Sequence, residues 1–452
     1  MADISPRQQH VLTRLEQYPP VTFAIRIMHE FLQRKPEDEP LDPRWVEIWR
    51  KYEVFADRFP PAIIKEISQA IMSVEEEPVI DKEVWGIRVS NDTKVTFLLG
   101  AGASAYSGIP TVKQLLPELW NRARKIGRED LENLRRWCDR RQIKNIEDLL
   151  TAAYVSDFIA KNRHITALVD YFLYSMGQEV GGEGETFGSI RRIMADVSSI
   201  GFLQDTLQTL FGLLTSTMIA APPNETHKAI VNFIQKHNHT TIITTNYDGC
   251  MDEALLTEKI TLRGTISGKN EDNPNAVQLI KMHGSINWSY CSSCQDVREF
   301  NLLEVKKIFE ADTLSYPVLG ICKKCGGLRR PLLVPPLSFK FLMFPSLVDI
   351  WNYARQSIEE AAVLIIVGYS FSESDAYITK IISRSMATNE NQKMIVVDTD
   401  ASLVPALRGR FDVHIDRFDH GRILKACGTC ETVLPRILDS MLANGHGNEQ
   451  AQ

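Results

Sequence analysis

Five short apolar runs constrain this chain more than any other feature: KVTFLLG (94–100), TTIITT (240–245), VQLIKMHG (277–284), AAVLIIVGYS (361–370) and KMIVVDTD (393–400). Each is rich in β-branched residues and ends in a small or polar residue. Continuous apolar runs of this length suit strands covered on both faces. Stretches with helical spacing of their apolar positions lie between them. That alternation predicts an α/β fold built on a doubly wound, parallel, Rossmann-like sheet.

Open parallel sheets take ligands outside the carboxyl ends of their strands. The residues to inspect are therefore GAGAS (100–104), TTNYD (244–248), MHGS (282–285), GYS (368–370) and Asp398. Gly100 and Gly102 allow a sharp turn and a close backbone approach to a pyrophosphate, and the next helix offers its N-terminal N–H groups. The pattern G-x-G-x-x-A loosely satisfies a dinucleotide fingerprint, but the acidic ribose ligand expected some 20 residues later is missing, since Glu118 reads as helical. By itself the loop is also compatible with a tight turn that holds no ligand.

The rest of the chain divides around this sheet. Residues 1–90 read as a helical N-terminal appendage interrupted by KPEDEPLDP, with Trp45 and Trp49 on one helix face, a spacing that fits packing. Residues 91–425 read as the main α/β domain. It holds a helical insertion over about 115–236, broken by GQEVGGEGET, and a small cysteine-bearing module over about 288–332; residues 426–452 read as a C-terminal tail. A net charge of −6 offers no broad basic surface for nucleic acid or an anionic membrane. The N-terminus lacks a signal pattern and the longest apolar run falls short of a spanning helix, so the expected location is cytoplasmic, without membrane contact.

Six of the eight cysteines fall into three CxxC pairs. Cys291/Cys294 and Cys322/Cys325 stand 27 residues apart, and two such knuckles can turn four thiolates inward into the tetrahedral shell of structural zinc. Cys427/Cys430 has no partner pair nearby and reads as two thiols beside a helix.

In this order, GAGAS with SGIP, TTNYD, KMHG and CxxC followed by CxxCGGLRRP resemble the sirtuin pattern over roughly residues 94–400. The resemblance implies a dinucleotide-binding domain with a zinc module, and an NAD molecule that is consumed by breaking its nicotinamide–ribose bond. It places Gly100, Ala101, Gly102 and Ser104 along the pyrophosphate, and Asn246 and Asp248 at the nicotinamide ribose, with His283 as the catalytic histidine. Thr245, Gly368 and Ser370 are assigned with them to the cofactor, and Asp398 to its adenosine end. Such residue types suit the chemistry: histidine can take a proton from a hydroxyl or a water at cellular pH, and asparagine can hold a water without adding charge.

Departures from the deacylases of that family refine the expectation. Thr111-Val112-Lys113 stands where they carry Asp-Phe-Arg, Thr245 replaces their glutamine and Tyr247 an aliphatic residue. In LLVPPLSF, Pro335 and Pro336 lack the N–H groups that peptide capture by strand addition needs. The stretch Val367 to Phe371, with Asp375 beyond it, and NIEDLL (145–150) resemble the divergent branch found in bacterial antiphage systems. That resemblance implies an NAD hydrolase releasing nicotinamide and ADP-ribose, a homo-oligomer, and activation by a protein partner or an infection-derived signal. The alternatives are an NAD-dependent protein deacylase and a non-catalytic sensor of NAD or ADP-ribose.

Overall fold

The computed structural model of the chain describes residues 5–16, 21–35, 45, 48–49, 52, 59–60, 62–64, 66–67, 78–109, 112–127, 129–143, 145–152, 210–263, 276–291, 293–311, 320–327, 329–334, 344–371, 375–412 and 419–443. Thr111, Pro335, Pro336, GQEVGGEGET, residues 36–43 of KPEDEPLDP and residues 153–209 of the helical insertion lie outside them. The chain forms two compact units, 1–79 and 80–452.

The first unit carries helices α1 (Pro6–Glu16) and α2 (Val21–Gln33). Its own core holds Leu12, Leu15, Ile25, Met28, Phe31, Trp45 and Trp49. Trp45 stacks on Phe31 with ring centroids 4.9 Å apart, and its indole N–H donates to Oε1 of Gln8 at 3.0 Å. Both tryptophans are thus used in packing, as their spacing suggested.

The second unit is built on an eight-stranded sheet. Its strands are β1 (Val79–Ile80), β2 (Val95–Leu99), β3 (Thr240–Thr244), β4 (Leu262–Arg263), β5 (Val277–Lys281), β9 (Val363–Val367), β10 (Lys393–Asp398) and β11 (Ile423–Cys427), in the order β1-β11-β10-β9-β2-β3-β5-β4. Pairings from β11 through to β4 are all parallel. Side chains alternate between the faces, so each apolar run feeds two cores. In β2, Phe97 and Leu99 enter a core with Ile230, Phe233, Val433 and Leu434, whereas Leu98 enters another with Trp351, Ile358, Ile382 and Leu407. Helices cover both faces, which is the doubly wound arrangement. α3 (Val112–Ile126), α4 (Glu129–Arg141), α8 (Leu347–Glu360), α9 (Ala376–Thr388) and α10 (Leu403–Asp412) contribute to the Leu98 side. On the Phe97 side lie α5 (Glu225–Ile234), α6 (Cys250–Thr257) and α11 (Cys430–Leu442).

Between β5 and α8 the chain leaves the sheet to form a three-stranded antiparallel sheet, β7 (Val297–Glu299), β6 (Gly284–Cys291) and β8 (Arg329–Leu333), together with α7 (Leu302–Ala311). This small module carries the two cysteine pairs.

Both ends of the large unit differ from the sequence reading. Val79–Ile80 is already a strand of the sheet, the Asp81 amide donates to the Lys425 carbonyl, and Val84, Ile87 and Val89 are buried in the Phe97-side core. The segment expected to be a C-terminal tail supplies the end of β11 and all of α11, whose Val433, Leu434, Ile437 and Met441 are buried. Apolar residues at these edges are spent on closing the sheet, so the unit begins near 79 and runs through 442.

Candidate active site

The sheet reverses its winding between β2 and β9: successive strands proceed outward from β2 on one side and return to β9 on the other. A crevice at the carboxyl ends of those two strands is where such sheets take ligands. The glycines of GAGAS have a packing reason there that sequence did not reveal. Gly100 N–H donates to the Val367 carbonyl at 3.0 Å and Gly102 N–H to the Gly368 carbonyl at 2.9 Å. A Cβ on Gly102 would sit 2.7 Å from the Gly368 Cα, and Gly368 itself has φ +59°. The loop is therefore locked onto the β9 turn, and residues 101–107 continue as a 3₁₀ helix ending at Gly108 with φ 79°. Since the Gly102 amide is already used, it is not a free anion donor.

Ser104 and Asn246 meet beside that lock. The Asn246 amide nitrogen donates to the Gly100 carbonyl at 2.9 Å and to the Ser104 hydroxyl at 3.2 Å, while its backbone N–H donates to Thr244. With both amide hydrogens committed, Oδ1 is left as an acceptor. Thr245 bonds the Leu99 carbonyl through its amide and its hydroxyl, tying β3 to β2.

His227 supports Ser104 from behind. It is the third residue of α5, in a capping box with Asn224: the Asn224 amide donates to His227 Nδ1 at 3.2 Å, and the Asn224 side chain accepts from the His227 amide. Burial holds its pKa below the ordinary histidine value, against the opposing pull of Asp248 and Asp252, so the ring is neutral. Because Nδ1 accepts, the single proton sits on Nε2, which faces the Ser104 hydroxyl at 3.4 Å. Ser104 then accepts from two groups and keeps its own hydrogen for a third. His227, Asp248 and Cys250 bring possible metal-ligating atoms within 4.8 Å of one another. The ring's Nε2 proton, and a thiol that burial pushes up and that donates to the Ala221 carbonyl, make this a hydrogen-bonded cluster instead of a donor set.

His283 follows β5 and is 3 % exposed. Its Nε2 lies 3.2 Å from Oδ1 of Asp375, which is 6 % exposed and sits just before α9. Tyr247 and Trp351 flank the ring at centroid distances of 6.4 and 6.0 Å, and the Trp351 indole donates to the Met282 carbonyl. Burial pushes the Tyr247 and Tyr369 phenols well above their usual range, and the nearby carboxylates of Asp375 and Glu147 add to it. Both stay protonated. Glu147 belongs to NIEDLL, so that segment supplies a carboxylate to this site's electrostatics. The Tyr247 hydroxyl donates to the Val334 carbonyl, and Val334 N–H donates to the His283 carbonyl, which fastens the end of β8 to the histidine.

The remaining expected residues occupy different surroundings. Asp248 accepts the Cys250 amide at 3.0 Å and so starts α6. Its carbonyl receives the ammonium of Lys281, a buried cation that also contacts Asp252 at 2.6 Å and the Ser285 hydroxyl at 2.8 Å. Ala101 and Ser370 are exposed on the strand-end loops, and Asp398 is half-buried at the end of β10, where it accepts the Asp400 amide. His227, Asp375 and Lys281 were not singled out as site residues. A charged residue closing an apolar strand run was the one available signal for Lys281.

In the small module, Cys291 Sγ lies 3.4 Å from Cys325 Sγ and Cys294 Sγ 3.8 Å from Cys322 Sγ, with all four sulfurs within 4.8 Å. Both knuckles close on backbone bonds, Gly326 N–H to the Cys322 carbonyl and Gln295 N–H to the Cys291 carbonyl. Backbone amides, that of Lys324 foremost, hold the Cys322 thiol down at about 6, and the buried Arg329 guanidinium reaches its sulfur at 3.5 Å. Four converging sulfurs met by amides and a cation are compatible with zinc.

Residues 240–411 match the SIR2-like domain family. Among solved structures, the chain is similar to a Sir2 homologue mutant in complex with 2′-O-acetyl ADP ribose, at 18% identity over 82% of this chain and 99% of that one, with a TM-score of 0.45. A Sir2 homologue–NAD complex matches at 17% identity over 81% of this chain and 96% of that one, with a TM-score of 0.42. No curated protein matches the chain.

Proposed function

From the premise that this is a divergent sirtuin-like chain with a SIR2-like domain across residues 240–411, we propose that it is an NAD hydrolase, cleaving NAD to nicotinamide and ADP-ribose. The observation that carries the reading is the buried His283–Asp375 pair at the carboxyl edge of the sheet, with His283 after β5 and Asn246 after the neighbouring strand β3. The Asp375 carboxylate, 3.2 Å from Nε2, sets a negative charge against one edge of the ring and leaves Nδ1 to take a proton from water.

In the proposed reaction, the bond between ribose C1′ and the nicotinamide nitrogen breaks, and its electron pair leaves with neutral nicotinamide. The ribose passes through an oxocarbenium-like state. Asn246 Oδ1 holds the attacking water without adding charge beside that cation. His283 takes the water's proton as the new C1′–O bond forms. Ser104 offers its remaining hydroxyl hydrogen to the substrate, while Gly100, Ala101, Gly102, Thr245, Gly368 and Ser370 shape the phosphate and ribose walls and Asp398 the adenosine end. Asp248 serves from behind, by starting α6 and receiving Lys281. Cys291, Cys294, Cys322 and Cys325 hold a structural zinc, which fixes the β8 end that is bonded to His283.

Ser104, His283 and Asp375 are each under a tenth exposed, so substrate entry needs an opening step. An opening step fits activation by a partner protein or an infection-derived signal; the antiphage setting, the cytoplasmic location and the homo-oligomer belong to the proposal through the sequence resemblance alone. No helix among the described residues is long and apolar enough to cross a membrane.

The test is product identification after incubation with NAD, with and without acetylated peptide and candidate activators. Nicotinamide and ADP-ribose released without peptide, and lost in Asn246→Ala and His283→Ala, support hydrolysis. Nicotinamide released only with the peptide would make the protein a deacylase. NAD binding without turnover under every condition would leave it a sensor.

A further inference from the structure

The amino-terminal end of the same sheet carries a feature that the carboxyl-edge chemistry does not use. Thr96 of β2 pairs with Thr241 of β3, Thr241 with Gln278 of β5, and Gln278 with Arg263 of β4. Residues in direct register share a face, so four adjacent strands present one continuous polar row on the side covered by α8. One step further along the strands, the same face carries Leu98, Ile243 and Ile280, the apolar lining a sheet between helices requires. The polar row underlies a cavity of about 370 Å³, roofed by α8 through Tyr353, Gln356 and Ser357.

Thr96 is spent on the Ser357 carbonyl, to which its hydroxyl donates at 3.0 Å. Thr241 and Gln278 are half-buried in the cavity wall, and no hydrogen bond from either side chain is present among the described residues. Their side-chain polar groups are therefore open to solvent in the cavity and available to a polar ligand. The volume falls in the range of small-molecule pockets. Gln278 offers the adjacent donor and acceptor that read the edge of a planar heterocycle. The Tyr353 ring, 44 % exposed at the rim, offers a stacking face. Arg263 at one end of the row supplies a guanidinium for an anionic group. Gln278 lies five residues before His283, which separates the two sites by roughly 16 Å of strand at about 3.3 Å per residue.

We propose that this groove is a second ligand site, distinct from the carboxyl edge, that takes a nucleoside monophosphate: base against Tyr353 and Gln278, phosphate toward Arg263. The proposal stands apart from the hydrolase assignment, because it is read by binding alone.

The experiment is photoaffinity labelling of the full chain with 8-azidoadenosine monophosphate, followed by mass-spectrometric mapping of the adducts. Label is expected on the α8 peptide that contains Tyr353, competed by excess AMP and reduced at least tenfold in Gln278→Leu. Because a change inside the sheet can cost folding, Tyr353→Ala on the exposed face of α8 serves as a second variant with the same expected loss. Label confined to peptides of the carboxyl edge, absent altogether, or undiminished in Tyr353→Ala overturns the proposal. So does a change of oligomeric state in Tyr353→Ala without α8 labelling, which would make the groove a protein interface.

Discussion

At the scale of single residues, His283 is defined by Asp375. The two side chains are almost fully buried and 3.2 Å apart, so the carboxylate is the charge that faces the ring at Nε2. Asp375→Asn keeps the shape but sets a neutral amide where a carboxylate faced the ring. The expected outcome is a fall in kcat of about 10²–10⁴-fold with little change in Tm, measured by nicotinamide release and thermal unfolding. His227 makes a different prediction, on stability against pH. Its folded pKa is depressed by burial, so below about pH 6.5 the unfolded chain binds a proton that the folded chain does not. Stability therefore declines as pH falls through that value. In His227→Gln the decline in Tm between pH 8 and pH 5 should be shallower than in the parent chain, though not absent, because burial depresses His237 as well. An equally steep decline would remove His227 as a source.

At the scale of elements, the glycine turn after β2 and the turn after β9 act as one piece. Gly368 has a left-handed φ, and a Cβ there would lie 2.5 Å from the Ala103 nitrogen. Gly368→Ala adds backbone strain of about 1–2 kcal/mol and overpacking of about 1–3 kcal/mol, so a loss of roughly 2–5 kcal/mol in unfolding free energy is expected, measurable by urea denaturation. The cysteine module is a second such piece. Cys322→Ser should release zinc, measurable by metal analysis, and lower activity through the Val334–His283 bond that fastens β8 to the site. The sequence disclosed these elements unevenly, for physical reasons. Strands β2, β3, β5, β9 and β10 were legible because burial on both faces writes a continuous apolar run, and the strand ends then located Asn246, His283 and the glycines. The two-residue strands β1 and β4 are too short to write any pattern. The true reason for Gly100 and Gly102, their contact with Gly368, depends on a turn distant in the chain. Likewise Ser104 and His227 are 123 residues apart, and Asp375 is recognisable as a partner only once the fold sets it against His283.

At the scale of the whole molecule, the boundary between the two compact units decides how the chain can be divided. Residues 91–452 would contain every candidate site residue and all five strands legible in the sequence, yet would lack the edge of the sheet. Cutting there removes β1, the Asp81 carboxylate that accepts the Lys425 amide at 2.7 Å, the Asp81 amide that donates back to Lys425, and the buried Val84, Ile87 and Val89. Each buried aliphatic side chain contributes about 1.5–3 kcal/mol, and the exposed edge of β11 would present unpaired backbone groups beside bare apolar surface. Against a total stability of about 5–15 kcal/mol, that loss is large enough to abolish folding or cause aggregation. A cut before Val79 removes only the first unit, whose Leu12, Phe31, Trp45 and Trp49 belong to a core of its own. The chain 79–452 is therefore expected to be soluble, to melt cooperatively and to keep any NAD cleavage intrinsic to the large unit, whereas 91–452 should be insoluble or melt far lower. Expression of the two trimmed chains side by side, with thermal unfolding and size measurement, decides this. If 91–452 proves as stable as 79–452, the sheet does not depend on the strand and core residues assigned to its first edge.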